Sequence, residues 1–244
     1  MALWHSRPYS AAMTTDAKHR LTDVRAEMAK AAKTAARDPA DIALIAISKT
    51  QDADAIRPLI EAGQRLFGEN RVQEAQGKWP DLIAETPDIE LHLVGQLQSN
   101  KAEDALRLFD VIHSVDRASL IDALGKAQVK TGRTPRYFLQ VNIGEEDQKG
   151  GCAATDVPDL LAAARAAGLW IICPPPPIPD VDMREPESVP MLRNWDRVLA
   201  WDLGDELTEE SVTELAERGR RIRACDPREG RPLIGSADSG LRSV

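Results

Sequence analysis

"ALIAISKTQ", Ala43 to Gln51, decides how the rest of the chain is read. With Ile42 it holds "IALIAIS", a continuous apolar run of strand length. Continuous rather than alternating apolarity fits a strand covered on both faces, as in a parallel sheet. The run ends in Ser48, Lys49 and Thr50. A lysine there is either a solvated cap on the strand or a group held for chemistry, because an ammonium is costly to bury. Residues 16 to 36 precede the run as a helix, with Leu21, Val24, Met28, Ala31, Ala32 and Ala35 at three- and four-residue steps. Asp38-Pro39 ends that helix.

Downstream, the strand–helix alternation repeats. Asp54 to Gly63 reads as a helix, with Pro58 near its first turn and Gly63 as its C-cap. "RLFGEN" is a strand and "RVQEAQGKW" a helix; "IELHLVG" and "SNKAEDALRL" follow in the same way. "FDVIHSV", "RYFLQVNIG" and "LWIIC" are further strands, separated by "ASLIDALGKAQVKTG" and "DVPDLLAAARAAG" as helices. Six strands in this order imply a parallel α/β sheet. A (β/α)₈ TIM-type barrel needs roughly 250 residues, and 244 are present. A doubly wound open sheet is the alternative, but no G-x-G-x-x-G turn follows any strand.

After Cys173 the pattern changes. "PPPPIPDVDMREPESVP" is proline-rich and acidic, and "MLRNWDRVLAWDL" and "TEESVTELAERGRRIRA" read as helices. "PLIGSA" is a weak strand candidate, and strands seven and eight are not otherwise visible. The expectation is a barrel incomplete at those strands, with 174–230 irregular or helical. The domain reading is a disordered extension over 1–15 and one barrel domain over 16–244, divergent from 174 onward.

Apolar residues make up 43% of the chain, enough for a sizeable core, and the net charge is −8. That field opposes nucleic acid and anionic membranes. Cys152, Cys173 and Cys225 are far apart and form no zinc spacing. "MALWHSRPYS" lacks a long apolar core, and "LLAAARAAGLWIIC" is broken by Arg165. A cytoplasmic protein is the expectation.

In a parallel βα array the site lies at the carboxyl ends of the strands. Lys49 ends the first strand, Glu69 and Asn70 the second, and His113 and Ser114 the fourth. A desolvated amine has a lowered pKa and attacks carbonyls, so Lys49 is a candidate for a Schiff base. Asn70 either caps the next helix or points into the site. His92 shares a face with Glu90 and is read as partly buried, either structural or site-facing. Lys101 is placed in the first turn of a helix, in solvent. Lys149, in "GEEDQKGG", is either a loop lysine or a group that closes over an anion. No pair of histidines stands at metal-ligand spacing.

Five stretches together resemble a known family. They are "AISKT" at 46–50, "AGQRLFGENRVQEA" at 62–75, "LHLVGQLQSNK" at 91–101, "IHSVDR" at 112–117 and "QVNIGEEDQKGG" at 140–151. The chain is similar there to the pyridoxal phosphate homeostasis proteins, relatives of the alanine racemase barrel. The resemblance implies a single, monomeric (β/α)₈ barrel that binds pyridoxal 5′-phosphate (PLP) through a Schiff base at Lys49. It implies that Asn70 lies near the cofactor and Lys149 in the loop over it; His92, on its site-facing reading, is a further candidate contact. The implied role is PLP homeostasis: binding, buffering and delivering the cofactor, with PLP-dependent apoenzymes as transient partners.

The family's S-M-G-M-S segment is absent here. "LIGSADSG", 233–240, resembles the family's last strand segment, which makes Gly235 and Ser236 phosphate ligands. Leu233 stands where that segment has an arginine, and "GRRIRA" offers Arg223 instead. Two alternatives stand beside the carrier reading: an amino-acid racemase-like enzyme, and a degenerate homologue that does not bind PLP. A two-base racemase needs a second base, commonly a tyrosine, and the chain has only Tyr9 and Tyr137.

Overall fold

The computed structural model describes residues 11–34, 37–142, 144, 148–173, 198–202 and 233–234. The chain forms two compact units, Met1–His92 and Leu93–Val244. In the first, α1 (Ala11–Thr34) leads to β1 (Ala46–Ile47), α2 (Ala53–Glu61), β2 (Leu66–Glu69), α3 (Val72–Gln76), α4 (Trp79–Glu85) and β3 (Glu90–Leu93), which runs past the boundary at His92. The second holds α5 (Ala102–Leu108), β4 (Val111–Val115), α6 (Ala118–Thr131), β5 (Arg136–Leu139), α7 (Val157–Ala166), β6 (Ile171–Cys173), β7 (Val198–Asp202) and β8 (Leu233–Ile234).

Within each unit the strands lie side by side in chain order. β1 and β2 are parallel, with Ala46 opposite Phe67 and Ile47 opposite Gly68. In the second unit β4 to β8 pair in parallel throughout. Helices return the chain between most strands, as parallel pairing requires.

The first unit packs around Phe67, Trp79, Leu82, Ile56 and Leu91, all essentially inaccessible to solvent. Phe67 and Trp79 meet with ring centroids 5.0 Å apart. The core of the second unit includes Phe109, Leu106, Leu124 and Tyr137. No helix among the described residues is long and apolar enough to cross a membrane.

Several expectations are corrected in detail. α1 begins at Ala11, five residues ahead of the apolar periodicity. β1 is two residues long, and Ile47 is 50% exposed rather than covered on both faces. Side chains of a strand alternate between the two faces of the sheet, and half-exposed Ile47 shows that its face is not fully covered there. Pro58 falls in the second turn of α2, which starts after the Asp52 cap. The single helix expected over "RVQEAQGKW" breaks at Gly77–Lys78, and α4 begins anew at Trp79. Pro80 explains the break. It has no N–H to donate to the carbonyl of Gln76, the last residue of α3, its ring crowds that carbonyl, and it fits the first turn of a new helix.

The largest correction is β7. It lies inside "MLRNWDRVLAWDL", which reads as a helix, yet Val198–Asp202 forms a strand. Val198 pairs with Ile171, Ala200 with Ile172 and Trp201 with Cys173. A short apolar run with a β-branched and an aromatic residue follows its partner when an apolar edge such as β6 is available. β8 falls within "PLIGSA" and pairs with β7. Strands seven and eight are therefore present, and the expectation that 174–230 holds no strand is overturned by β7.

Candidate functional site

Ser48 to Gln51 form a tight turn at the carboxyl end of β1, closed by the Gln51 N–H donating to the Ser48 carbonyl at 3.1 Å. Lys49 is the second residue of that turn and is exposed. Thr50, the third, has φ 65°, the one non-glycine residue in the left-handed region among the described residues. A β-branched residue is strained in that region, so the surrounding structure must hold it there.

Two elements supply the hold. The Ser48 N–H donates to the Gly68 carbonyl at 2.9 Å, continuing the ladder with β2. This register brings Lys49 and Asn70 to the same end of adjacent strands. The other element is the break between α3 and α4. The Lys78 ammonium donates to the carbonyls of Ser48 at 2.9 Å and Gln51 at 2.8 Å. It also contacts Glu74 Oε1 at 2.9 Å and Glu69 Oε1 at 3.0 Å, with only 8% of its side chain exposed. Glu74 Oε1 in turn accepts from the Thr50 N–H at 2.6 Å. The Lys78 ammonium and the Thr50 N–H hold the Glu74 carboxyl below its ordinary range.

Glu69 is fully buried. Its Oε1 accepts from Ser48 Oγ at 2.6 Å and from Trp79 Nε1 at 2.9 Å. Its Oε2 is buried without a hydrogen-bond partner. A buried carboxylate needs a partner charge, and Lys78 is that charge. Removing one member of such a pair costs roughly 3–5 kcal/mol.

Asn70 does not cap α3; the cap residue is Arg71, which makes no side-chain cap bond. Asn70 Oδ1 is buried and has no hydrogen-bond partner. Of the two readings of Asn70, the structure therefore removes the cap. His92 is buried on β3, with Nε2 2.9 Å from Glu90 Oε1, so the two do share a strand face. This unit thus carries Lys49, Asn70 and His92. A cleft of about 430 Å³ in the same unit lies between α1 and the amino ends of β1 and β2, lined in part by Arg25, Gln64 and Leu66. It is at the end of the strands opposite Lys49, the end associated with stability in such arrays.

The second unit carries the Lys149 loop. Val141 bridges to Cys152, with Asn142 N–H donating to the Cys152 carbonyl at 2.8 Å and Cys152 N–H to the Gln140 carbonyl at 2.9 Å. The loop is closed at its base, and Lys149 is exposed upon it. His113 stacks on Phe138 with centroids 4.5 Å apart, which is a packing role. Ser114 Oγ is buried without a partner. Lys101 is partly exposed and lies 3.5 Å from Asp104. Arg223, Gly235 and Ser236 lie outside the described residues.

Lys78 and Glu74 escape a sequence reading. Spaced four apart beside a Gly-Lys-Trp-Pro break, they resemble a solvated helix pair. The signal available was Pro80, which ends the helix just where Lys78 must turn inward.

Residues 20–172 match the family of the alanine racemase N-terminal domain. A pyridoxal phosphate homeostasis protein of Pseudomonas aeruginosa is 35% identical over 235 residues, covering 93% of this chain and 98% of that protein. Among solved structures, PipY of Synechococcus elongatus PCC7942 without PLP is 30% identical, with TM-score 0.55 over 86% of this chain and 97% of that one. The same protein with PLP bound aligns at 28% identity and TM-score 0.54, covering 91% and 97% of the two chains. With its parallel strands, intervening helices and strand-end lysine, the chain belongs to the pyridoxal phosphate homeostasis protein family and has that family's α/β, TIM-type barrel fold of the alanine racemase N-terminal class.

Proposed function

We propose that this protein binds PLP covalently through Lys49 and serves PLP homeostasis, holding, buffering and delivering the cofactor without turnover of its own. The observation that carries the reading is the turn at the end of β1, which fixes the backbone around Lys49 while leaving its side chain exposed. When bound, the cofactor would supply an aldehyde, a group that a lysine amine captures reversibly. The residues present suit such a ligand. Lys49 offers the amine, and Asn70, at the same end of the adjacent strand, has a buried amide oxygen without a partner. PipY with PLP bound is 28% identical, which supports bringing the ligand to this chain.

Lys149 is assigned as a loop cation for the cofactor's anionic end, with Gly235, Ser236 and Arg223 as further contacts. His92 is assigned as a contact from β3. A cytoplasmic, monomeric protein with transient apoenzyme partners completes the proposal. The racemase alternative needs a second base. Tyr137 is buried, its hydroxyl lies 3.0 Å from Gln128 Oε1, and burial pushes its pKa above the ordinary tyrosine value. These features suit packing rather than proton transfer.

The test is borohydride reduction of protein mixed with PLP, followed by peptide mapping. The label is expected on Lys49 and lost in Lys49→Ala. A label confined to Lys149 or other lysines overturns the assignment. Amino-acid turnover is expected near background; a racemisation rate of about 1 s⁻¹, within the ordinary enzymatic range, sinks the carrier reading.

A further inference from the structure

We infer that Lys78 and Glu74 are positioning residues for Lys49, acting through the backbone of the turn that presents it. This rests on the reading of Lys49 as the point of attachment.

Thr50 is the strained residue of the turn. Its φ of 65° suits glycine or asparagine, and a threonine keeps it only under external constraint. Within Ser48–Gln51 the constraint comes from residues 24 to 30 positions later. Ser48 and Gln51 give their carbonyls to Lys78, and Thr50 gives its N–H to Glu74. Three of the four turn residues are thus tied to α3 or to the break that follows it, and the fourth is the exposed Lys49. Glu69 and Glu74 both contact Lys78 Nζ, so the ammonium is itself held from two sides. Such an arrangement fixes where the Lys49 side chain starts and leaves its end able to reach a ligand. A preordered backbone lowers the entropy lost when the ligand is captured.

The clamp makes a demand that a merely structural ion pair does not. Removing it must loosen this turn selectively, and a glycine at position 50 must compensate. The experiment uses the full chain and four variants: Lys78→Met, Glu74→Ala, the double variant Glu74→Ala with Thr50→Gly, and Lys49→Ala. Two readouts are taken. One is hydrogen–deuterium exchange of the 48–51 amides without PLP; the other is the rate of borohydride-trapped labelling at residue 49. Losing a hydrogen bond to a charged group is expected to change each by about tenfold or more. Exchange at Thr50 rises and labelling slows in Lys78→Met and Glu74→Ala. Thr50→Gly restores much of the labelling in the Glu74→Ala background, since glycine adopts the positive φ without strain.

Should Lys78→Met fail to fold, Glu74→Ala decides, because that side chain is partly exposed. Wild-type exchange and labelling in Glu74→Ala overturn the inference while Lys49→Ala still loses the label. A label that survives in Lys49→Ala removes the attachment reading instead; unchanged Thr50 exchange in Glu74→Ala then separately overturns the clamp.

Discussion

Glu74 links charge to backbone at the turn, and its ionisation sets a pH dependence. Its carboxyl is held below the ordinary value of 4.5 by the Lys78 ammonium first and the Thr50 N–H second. The folded state therefore binds the proton less readily than the unfolded one. The stabilisation is fully present above that ordinary value and is lost as pH falls through the lower, folded value. Glu74→Gln keeps an acceptor for Thr50 and removes the charge. It is expected to lower stability near neutrality by roughly 0.5–1.5 kcal/mol, with the gap closing below the ordinary carboxylate range. Thermal unfolding of both proteins across acidic pH measures this; a gap independent of pH contradicts it. Lys49 is legible in the sequence because a polar residue ends a continuous apolar run. Lys78 is not, because its burial comes from carbonyls 27 and 30 positions earlier, and no local pattern encodes that.

At the scale of elements, the Lys149 loop depends on its glycines. Gly151 has φ 117°, and a Cβ there would lie 2.8 Å from the Asn142 backbone nitrogen and 3.0 Å from the Val141 carbonyl carbon. Both neighbours are backbone held in the Val141–Cys152 bridge, so neither gives way as a flexible side chain does. Gly151→Ala is expected to destabilise the protein by about 1–3 kcal/mol and to speed proteolysis within the loop. An unchanged melting midpoint and cleavage rate refute this. The contrast between β6 and β7 shows what an element needs to be read. β6 follows a helix in a regular alternation, and "LWIIC" has no polar residue. β7 sits in "DRVLAWDL", flanked by charges, where Leu192, Trp195, Val198 and Leu199 also recur at helical spacing. Its strand state comes from pairing with β6, a contact that periodicity does not contain.

For the molecule as a whole, the match to residues 20–172 stops just before the segment that carries β7 and β8, whereas the Pseudomonas aeruginosa relative aligns over 235 residues. The question is whether the chain needs that segment. Within the second unit, β6 is covered on one side by β5 and on the other by β7. Ile171 and Cys173 are fully buried and Ile172 nearly so. Ending the chain at Cys173 removes β7 and β8 and leaves β6 as an edge strand of three apolar residues without a charge or proline. Such an edge is a template for pairing between copies. The truncated chain is therefore expected to melt lower and to aggregate at concentrations where the full chain stays dispersed. Size-exclusion chromatography with light scattering, together with thermal unfolding, tests this. PLP labelling at Lys49 serves as a second measure, because β1 and its clamp belong to the first unit. A soluble truncated chain with the full-length melting midpoint overturns the prediction, and it would mean that the sheet through β6 holds without its last two strands.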